Sequence, residues 1–500
     1  MTRQELIDKL AAIVGKEDVF GSRRDLLVYE YDSTPETYQP DVVAFPSNAA
    51  ETAAIMKLAH GEGIPVVPRG AGTNLSGGAL ALKGGIVLGM TRMNRVLEID
   101  TANERAVVQP GVVNLELQNL LAPFGYLYAP DPASQKVSTM GGNVGENSGG
   151  PHCLKYGVTT NHVYGLEVVL PNGEVIHTGG AVEDCPGYDL TGLLVGSEGT
   201  LGVVTSMTLR LMRVPEAVKT MLAIFDTLED AGNAVSDIIA AGIIPATLEI
   251  MDKPVVGAVE ASTGAGYPLD AEAVLIIELD GLKDGQERQA GRIVELCRKN
   301  RVRDVRVAQS EAERNVLWAG RRGAFGAIAR ISPSYSVQDG TVPRTRLAET
   351  LRKVVEIADR HRIRVGNVAH AGDGNLHPLI MFDPKDQEET ERVHQAGKEI
   401  LRLCVEMGGT LTGEHGIGIE KQDSMRLLFS DSELKAMALI KRAFDPQNML
   451  NPGKILPREA DPTPSPSPSQ GRECSPPPHG GEGVGGVGSD PPHSAEEVRP

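Results

Sequence analysis

Short apolar runs alternate with longer amphipathic ones along this chain. DVVAFP reads as a buried strand, SNAAETAAIMKLAHGEG as a helix with one apolar face, and PVVPRG as a second strand, together about one βαβ unit. The opening MTRQELIDKLAAIVG has helical periodicity, with Thr2 and Glu5 at capping-box spacing. From about 40 to 215, glycine and short β-branched runs dominate, as in GGIVLGM, AVVQPG and HVYGLEVVLPNGEVI. Beyond about 216 the helical patterns lengthen, as in DAGNAVSDIIAAG and DGQERQAGRIVELCRKN, separated by strands such as AVLIIELDG. The pattern predicts an α+β protein: a helical segment over 1–37, a glycine-rich domain over 38–215 and a second domain over 216–456, divided near Pro215. From 457 to 500, proline, serine and glycine leave too little apolar surface to offset chain entropy, which predicts a disordered tail without a function of its own.

At 500 residues the chain exceeds what one core organises, consistent with that division. A formal charge of −17 with no basic run argues against nucleic acid as a partner. With no apolar run of about 18 residues and no secretion signal, a cytoplasmic location is expected. Cys153, Cys185, Cys297, Cys404 and Cys474 form no CxxC, so neither a zinc knuckle nor an iron-sulfur cluster is expected in this chain. Cys404, in LRLCVEM, reads as a core residue.

Candidate chemistry begins with glycine. PVVPRGAGTNLSGGAL carries Gly70, Gly72, Gly77 and Gly78 directly after a strand, a density that lets backbone N–H groups surround an anion such as a pyrophosphate. It lacks the third glycine of GxGxxG and runs on into the strand GGIVLGM, which disfavours NAD in a Rossmann crevice. Two further runs, DPASQKVSTMGGNVGENSGG and GSEGTLGVVT, imply a long ligand threaded along backbone. These three motifs, over roughly 38–215, resemble the FAD-binding domain of the vanillyl-alcohol oxidase or p-cresol methylhydroxylase type. The resemblance implies FAD, with contacts from Arg69, Gly70, Gly72, Thr73, Asn74 and Leu75, from Ser138, Gly141, Gly142 and Asn143, and from Glu198, Gly199 and Val204.

The second domain holds HAGDGNLHP. GDGN signals a reversal between two strands, and a hairpin brings His370 and His377 back towards one point. Glu414 and His415 stand in another glycine-flanked segment, GTLTGEHGIG. Two histidines and one carboxylate with an open position suit a catalytic divalent metal; a substrate-hydrogen-bonding role is the alternative. WAGRR, QDGTVPR, HAGDGNLHP, GEHGIG and FDPQNMLNPGK together resemble the FAD-linked oxidase C-terminal domain of D-lactate, D-2-hydroxyglutarate and glycolate dehydrogenases, and most of all the flavoprotein subunits of bacterial glycolate oxidases. The resemblance implies His370, His377 and Glu414 as ligands of a divalent metal, zinc first with manganese or iron as alternatives. It further implies His415 as base, Arg321 as carboxylate clamp with Arg322 as rival, Asn375 near the site, and Asn451 of the closing motif among the cofactor contacts.

These groups suit oxidation of a 2-hydroxy acid, which needs a base, a carboxylate anchor and something to lower the alcohol pKa. Phe325 and Val337 stand where 2-hydroxyglutarate relatives carry polar residues, which favours a small monocarboxylate such as glycolate, with D-lactate as runner-up; Arg344 could substitute as a clamp. Electrons must leave to an outside acceptor. The resemblance implies a second FAD-binding subunit and an iron-sulfur subunit, with membrane contact only through them. From another class, a metal-dependent hydrolase acting on a phosphorylated substrate is the competing reading.

Overall fold

The computed structural model describes residues 1–182 and 186–458. Cys185, Cys474 and all but the first two positions of the proposed tail lie outside the described residues.

Strands β1 (Val19–Phe20), β2 (Val42–Ala44), β3 (Val66–Arg69) and β4 (Ile86–Gly89) form one sheet in the order β1-β2-β4-β3. β4 lies parallel to both β2 and β3, so the helix Ala49–Glu62 crosses from one parallel strand to another. That helix starts where Asn48 accepts the Glu51 N–H at 2.9 Å and stops at Gly63, φ +65°. The helix Arg3–Val14 carries the expected Thr2 and Glu5 capping box and buries Leu6, Leu10 and Val14 in the core formed by β2, β4 and the crossing helix. Met449 and Leu450 enter the same core, because the chain returns beside β3: Val66 N–H donates to the Met449 carbonyl at 2.9 Å and Asn451 N–H to the Val66 carbonyl at 2.7 Å.

A second, antiparallel sheet contains β5 (Val96–Asp100), β6 (Arg105–Val108), β8 (Val163–Val169), β9 (Val175–Gly179) and β10 (Val203–Arg210), in the order β5-β6-β10-β8-β9. Short β7 (Tyr126–Leu127) pairs with β11 (Met212–Arg213) beside it.

The chain beyond Arg213 builds one antiparallel sheet of β12 (Ala217–Phe225), β13 (Thr247–Asp252), β14 (Ala273–Gly281), β15 (Asp304–Val307), β16 (Ser334–Val337), β17 (Arg364–His370) and β18 (Asn375–Phe382), in the order β15-β12-β14-β13-β17-β18-β16. Both faces are covered, so alternate residues serve different cores: in β12, Met221, Ala223 and Phe225 meet the helices Leu228–Ala240 and Leu347–His361, whereas Leu222 and Ile224 face Lys253–Thr263 and Glu311–Arg322. Such a sheet leaves no watered side for a charge. Glu249, Glu278, His370 and His377 are nonetheless buried in it, and each therefore needs a partner. Among the described residues no helix is long and apolar enough to cross a membrane.

Candidate active site at the domain junction

The three glycine runs and the histidine hairpin line one continuous cavity of about 970 Å³. In the first run, Gly72 has φ +73°, and a Cβ there would strike the Arg69 guanidinium, which is fixed by the carbonyls of Tyr31 (2.7 Å) and Ala79 (3.3 Å). The Asn74 side-chain carbonyl accepts the N–H groups of Ser76 (2.9 Å) and Gly78 (2.7 Å), closing the turn.

The second run is not a loop throughout: Met140–Glu146 is helical. Gly141 lies where a Cβ would stand 2.5 Å from Pro110, so glycine serves close packing there. In the third run Glu198, at φ +51°, reaches across the junction to accept Ile417 N–H at 2.6 Å and Gly418 N–H at 2.8 Å.

Arg69, Gly70, Gly72, Thr73, Asn74, Leu75, Ser138, Gly141, Gly142, Asn143, Glu198, Gly199 and Val204 all line the cavity. Asn451 does not: its amide donates to the carbonyls of Gly78 (2.9 Å) and Glu198 (2.7 Å), tying the first and third runs together from behind. The dinucleotide side fits an extended polar ligand, because Asn74 Nδ2, Ser138 Oγ and Asn143 Nδ2 are buried there without a hydrogen-bond partner among the described residues.

Across the cavity, the hairpin β17–β18 turns through Gly372, Asp373 and Gly374, and the rings of His370 and His377 stand 5.0 Å apart. Their Nε2 atoms each lie 3.2 Å from the same oxygen of Glu414. His370 Nδ1 meets Glu249 at 2.7 Å, a pairing set by the register of β13 with β17, where Glu249 stands opposite His370. The other Glu249 oxygen takes Arg321 Nε at 2.7 Å and Arg321 Nη2 at 2.6 Å. The side edge of the guanidinium is thus already in use. Arg321 lines the cavity with its end-on Nη edge left for a substrate carboxylate. Arg322 lies over the Trp318 ring at 5.2 Å and also reaches the cavity, as do Phe325 and Val337; Arg344 and Asn375 do not.

Buried charges set the protonation states. Burial alone would raise the carboxyl of Glu414, but His370 and His377 hold it well below its usual range. Burial would discharge His370, yet Glu249 and Glu414 push its pKa well up. His415 is different: burial dominates and lowers it to about 4, so the imidazole is neutral at pH 7. Its ring stacks on His377 at 5.0 Å and 17°.

A divalent cation would fit here on one specific ground. His377 is 1 % exposed, its Nδ1 has no hydrogen-bond partner among the described residues, and its Nε2 faces the same Glu414 oxygen, 3.2 Å away, that His370 Nε2 faces. Asp339, His377, Glu414 and His415 form a tight donor group; Asp339 is fully engaged by N–H and O–H donors and by Lys421, which leaves His377, Glu414 and His415, with His370 Nε2 facing the same Glu414 oxygen at 3.2 Å as a further donor.

Sequence reasoning missed Glu249, Asp339 and Lys421, all fully buried at this junction. A charged residue in the middle of the apolar strand TLEIMD is the signal that would have found Glu249.

Residues 40–179 match the FAD binding domain family and residues 214–455 the C-terminal domain of FAD linked oxidases; the chain belongs to this FAD-linked oxidase family and is an FAD-dependent oxidoreductase. It is 45 % identical over 463 residues to glycolate oxidase subunit GlcD of Bacillus subtilis, covering 92 % of this chain and 98 % of that one. It is 34 % identical to a D-lactate dehydrogenase of Anaerostipes hadrus, covering 90 % and 97 %. The fold is similar to that of p-cresol methylhydroxylase with substrate bound, at TM-score 0.77 and 17 % identity over 91 % of this chain and 97 % of that one. The hydrolase reading is thereby set aside.

Proposed function

We propose that this chain oxidises a small 2-hydroxy acid to the 2-oxo acid, with glycolate as the main substrate and D-lactate as the second. The observation that carries the proposal is the single cavity joining the glycine runs to His370, His377, Glu414 and His415. The relatives named for glycolate and D-lactate support it. FAD, when bound along the glycine runs, would accept the C2 hydride at N5. A divalent ion on His370, His377 and Glu414 would lower the pKa of the substrate hydroxyl.

The chain's own residues account for the rest. Neutral His415 takes the hydroxyl proton. Arg321, held by Glu249, offers its remaining N–H edge to the carboxylate and cannot swing away. Phe325 and Val337 are apolar walls of the cavity that offer a second carboxylate no hydrogen bond of their own, which disfavours dicarboxylates. The reduced flavin is served by an outside acceptor. We take this to be a partner assembly of a second FAD-binding chain and an iron-sulfur chain, in keeping with the subunit designation of the Bacillus relative, with the enzyme cytoplasmic and meeting the membrane only through those partners.

The test is anaerobic mixing of the FAD-loaded protein with glycolate, each lactate enantiomer and D-2-hydroxyglutarate, following loss of flavin absorbance, with metal analysis on the same sample. Glycolate should reduce the flavin fastest and D-2-hydroxyglutarate slowest. Failure of every 2-hydroxy acid to bleach the flavin would sink the proposal.

A further inference from the structure

The three glycine runs and the segment GEHGIG meet at one side chain that the proposed reaction does not use. Glu146 closes the short helix Met140–Glu146 of the second run and lines the cavity, with Oε2 buried and without a hydrogen-bond partner among the described residues. Its Oε1 lies 3.0 Å from where a Cβ on Gly78 of the first run would stand, and the Asn74 amide nitrogen lies 3.2 Å from the same point. Its Oε2 lies 2.5 Å from where a Cβ on Gly416 would stand, and Glu198 Oε1 of the third run lies 2.7 Å from that point. Gly416, at φ +81°, thus keeps open the spot on which two carboxyl groups converge.

Two buried carboxyl groups this close favour one proton between them. Glu198 has the donors that hold a negative charge, the N–H groups of Ile417 and Gly418 at 2.6 and 2.8 Å. Glu146 has no such backbone donor among the described residues. The cations whose charge reaches it are committed elsewhere: Lys421 Nζ to Asp339 at 3.2 Å and to the Gly416 carbonyl at 3.1 Å, Lys454 Nζ to the carbonyls of Gly77 (2.6 Å) and Leu80 (2.8 Å). Burial first, then Glu198 and Asp32, raise the Glu146 carboxyl well above its ordinary 4.5, and the Asn74 amide and Lys421 each lower it by less. Ionised, Glu146 would be a buried charge without a counter-ion; protonated, it can both donate and accept a hydrogen bond.

We propose that Glu146 is a cofactor-binding residue that meets FAD as a neutral carboxyl group, the Glu146–Glu198 pair bearing one negative charge rather than two. Gly416 directly follows His415, so the pair lies at the substrate end of the cavity and the part of the cofactor it meets is the flavin ring. That placement rests on the function proposed above, whereas the contact itself rests only on FAD binding. A neutral carboxyl hydrogen-bonds the ring and puts no second negative charge beside the group that receives the hydride.

The test uses the full-length protein, with and without FAD. Infrared spectra of wild type, compared with and without ¹³C-labelled glutamate, should show the C=O band of a protonated carboxyl group that is missing in Glu146→Gln and that shifts when FAD binds. Titration of the apoprotein with FAD should give Glu146→Gln an affinity within about threefold of wild type, since the amide has the same shape, is neutral, and also donates and accepts. Glu146→Leu can do neither and should bind FAD about tenfold more weakly, with a displaced visible absorption maximum of the bound flavin. An absent carboxyl band, a band that FAD leaves unmoved, a Glu146→Gln affinity more than about threefold from wild type, or Glu146→Leu matching wild type would overturn the proposal. If Glu146→Leu does not fold, the infrared spectra of wild type and Glu146→Gln decide it. Should no 2-hydroxy acid reduce the wild-type flavin, the functional reading fails while the result on FAD contact stands or falls by itself.

Discussion

The two sides of the cavity are built from different materials. The dinucleotide side is backbone and small residues: glycines at positive φ, a glycine packed on Pro110, and short polar side chains with free hydrogen-bonding atoms. The substrate side is ionisable side chains planted in a doubly covered sheet, where each charge is answered by another: Arg321 by Glu249, Glu249 by His370, His370 by Glu414. The first side can bind a long ligand with little net charge of its own. The second can move a proton, because low dielectric separates a neutral His415 from a charged Glu414 only one residue away.

The largest effect should come from breaking the substrate side alone. His415→Ala should retain FAD with an unchanged visible spectrum while the rate constant of flavin reduction falls about 10²–10⁴-fold. Stopped-flow absorbance under anaerobic conditions measures it, and normal reduction in this variant would remove His415 as the base. Glu249→Gln should come next, because it leaves Arg321 buried without its counter-ion and His370 without its anionic partner. Metal affinity should drop about 10–100-fold, and stability by about 3–5 kcal/mol, read by denaturant unfolding.

The difference between the two sides also governs what could be read from the sequence. Backbone-built recognition leaves a contiguous signature, since a turn at positive φ demands glycine at a fixed offset; thus RGAGTNLSGG and GSEGTLG announced the cofactor side. The hairpin histidines were legible for the same local reason. Glu249 was not, because it meets His370 across 121 positions and only through the register of β13 on β17. Asp339 stood in view within QDGTVPR, but its role depends on a loop more than seventy positions away. Asn451 shows the converse: a residue in a recognisable motif braces two turns through its amide and does not line the cavity.

A smaller effect should sharpen the contrast from the cofactor side. Gly72→Ala adds a Cβ at φ +73°, against a guanidinium that cannot retreat without abandoning two carbonyls. Backbone strain of about 1–3 kcal/mol translates to about 10–100-fold weaker FAD binding. Titration of the apoprotein with FAD should show this, while FAD-saturated protein reduces at nearly the wild-type rate.

The smallest effect concerns the joint between the two sides. His152, beside the second glycine run, holds Asp131 at 2.8 Å through Nδ1 and faces Glu278 of β14 at 3.7 Å through Nε2, with its ring stacked on Trp318. Burial opposes its charge, yet Asp131 and Glu278 together push its pKa up to about 10. Because the folded value lies above the ordinary 6.5, the stabilisation is fully present below about pH 6.5 and is lost as pH rises through about 10. His152→Asn should therefore unfold more easily than wild type by about 1.5 kcal/mol at pH 6, the lower end for a hydrogen bond to a charged group. The gap should close by pH 10.5, where wild type has discharged the imidazole itself. A gap that stays constant across that range would show that the ring's packing on Trp318, and not its charge, joins the backbone-built side to the charge-built one.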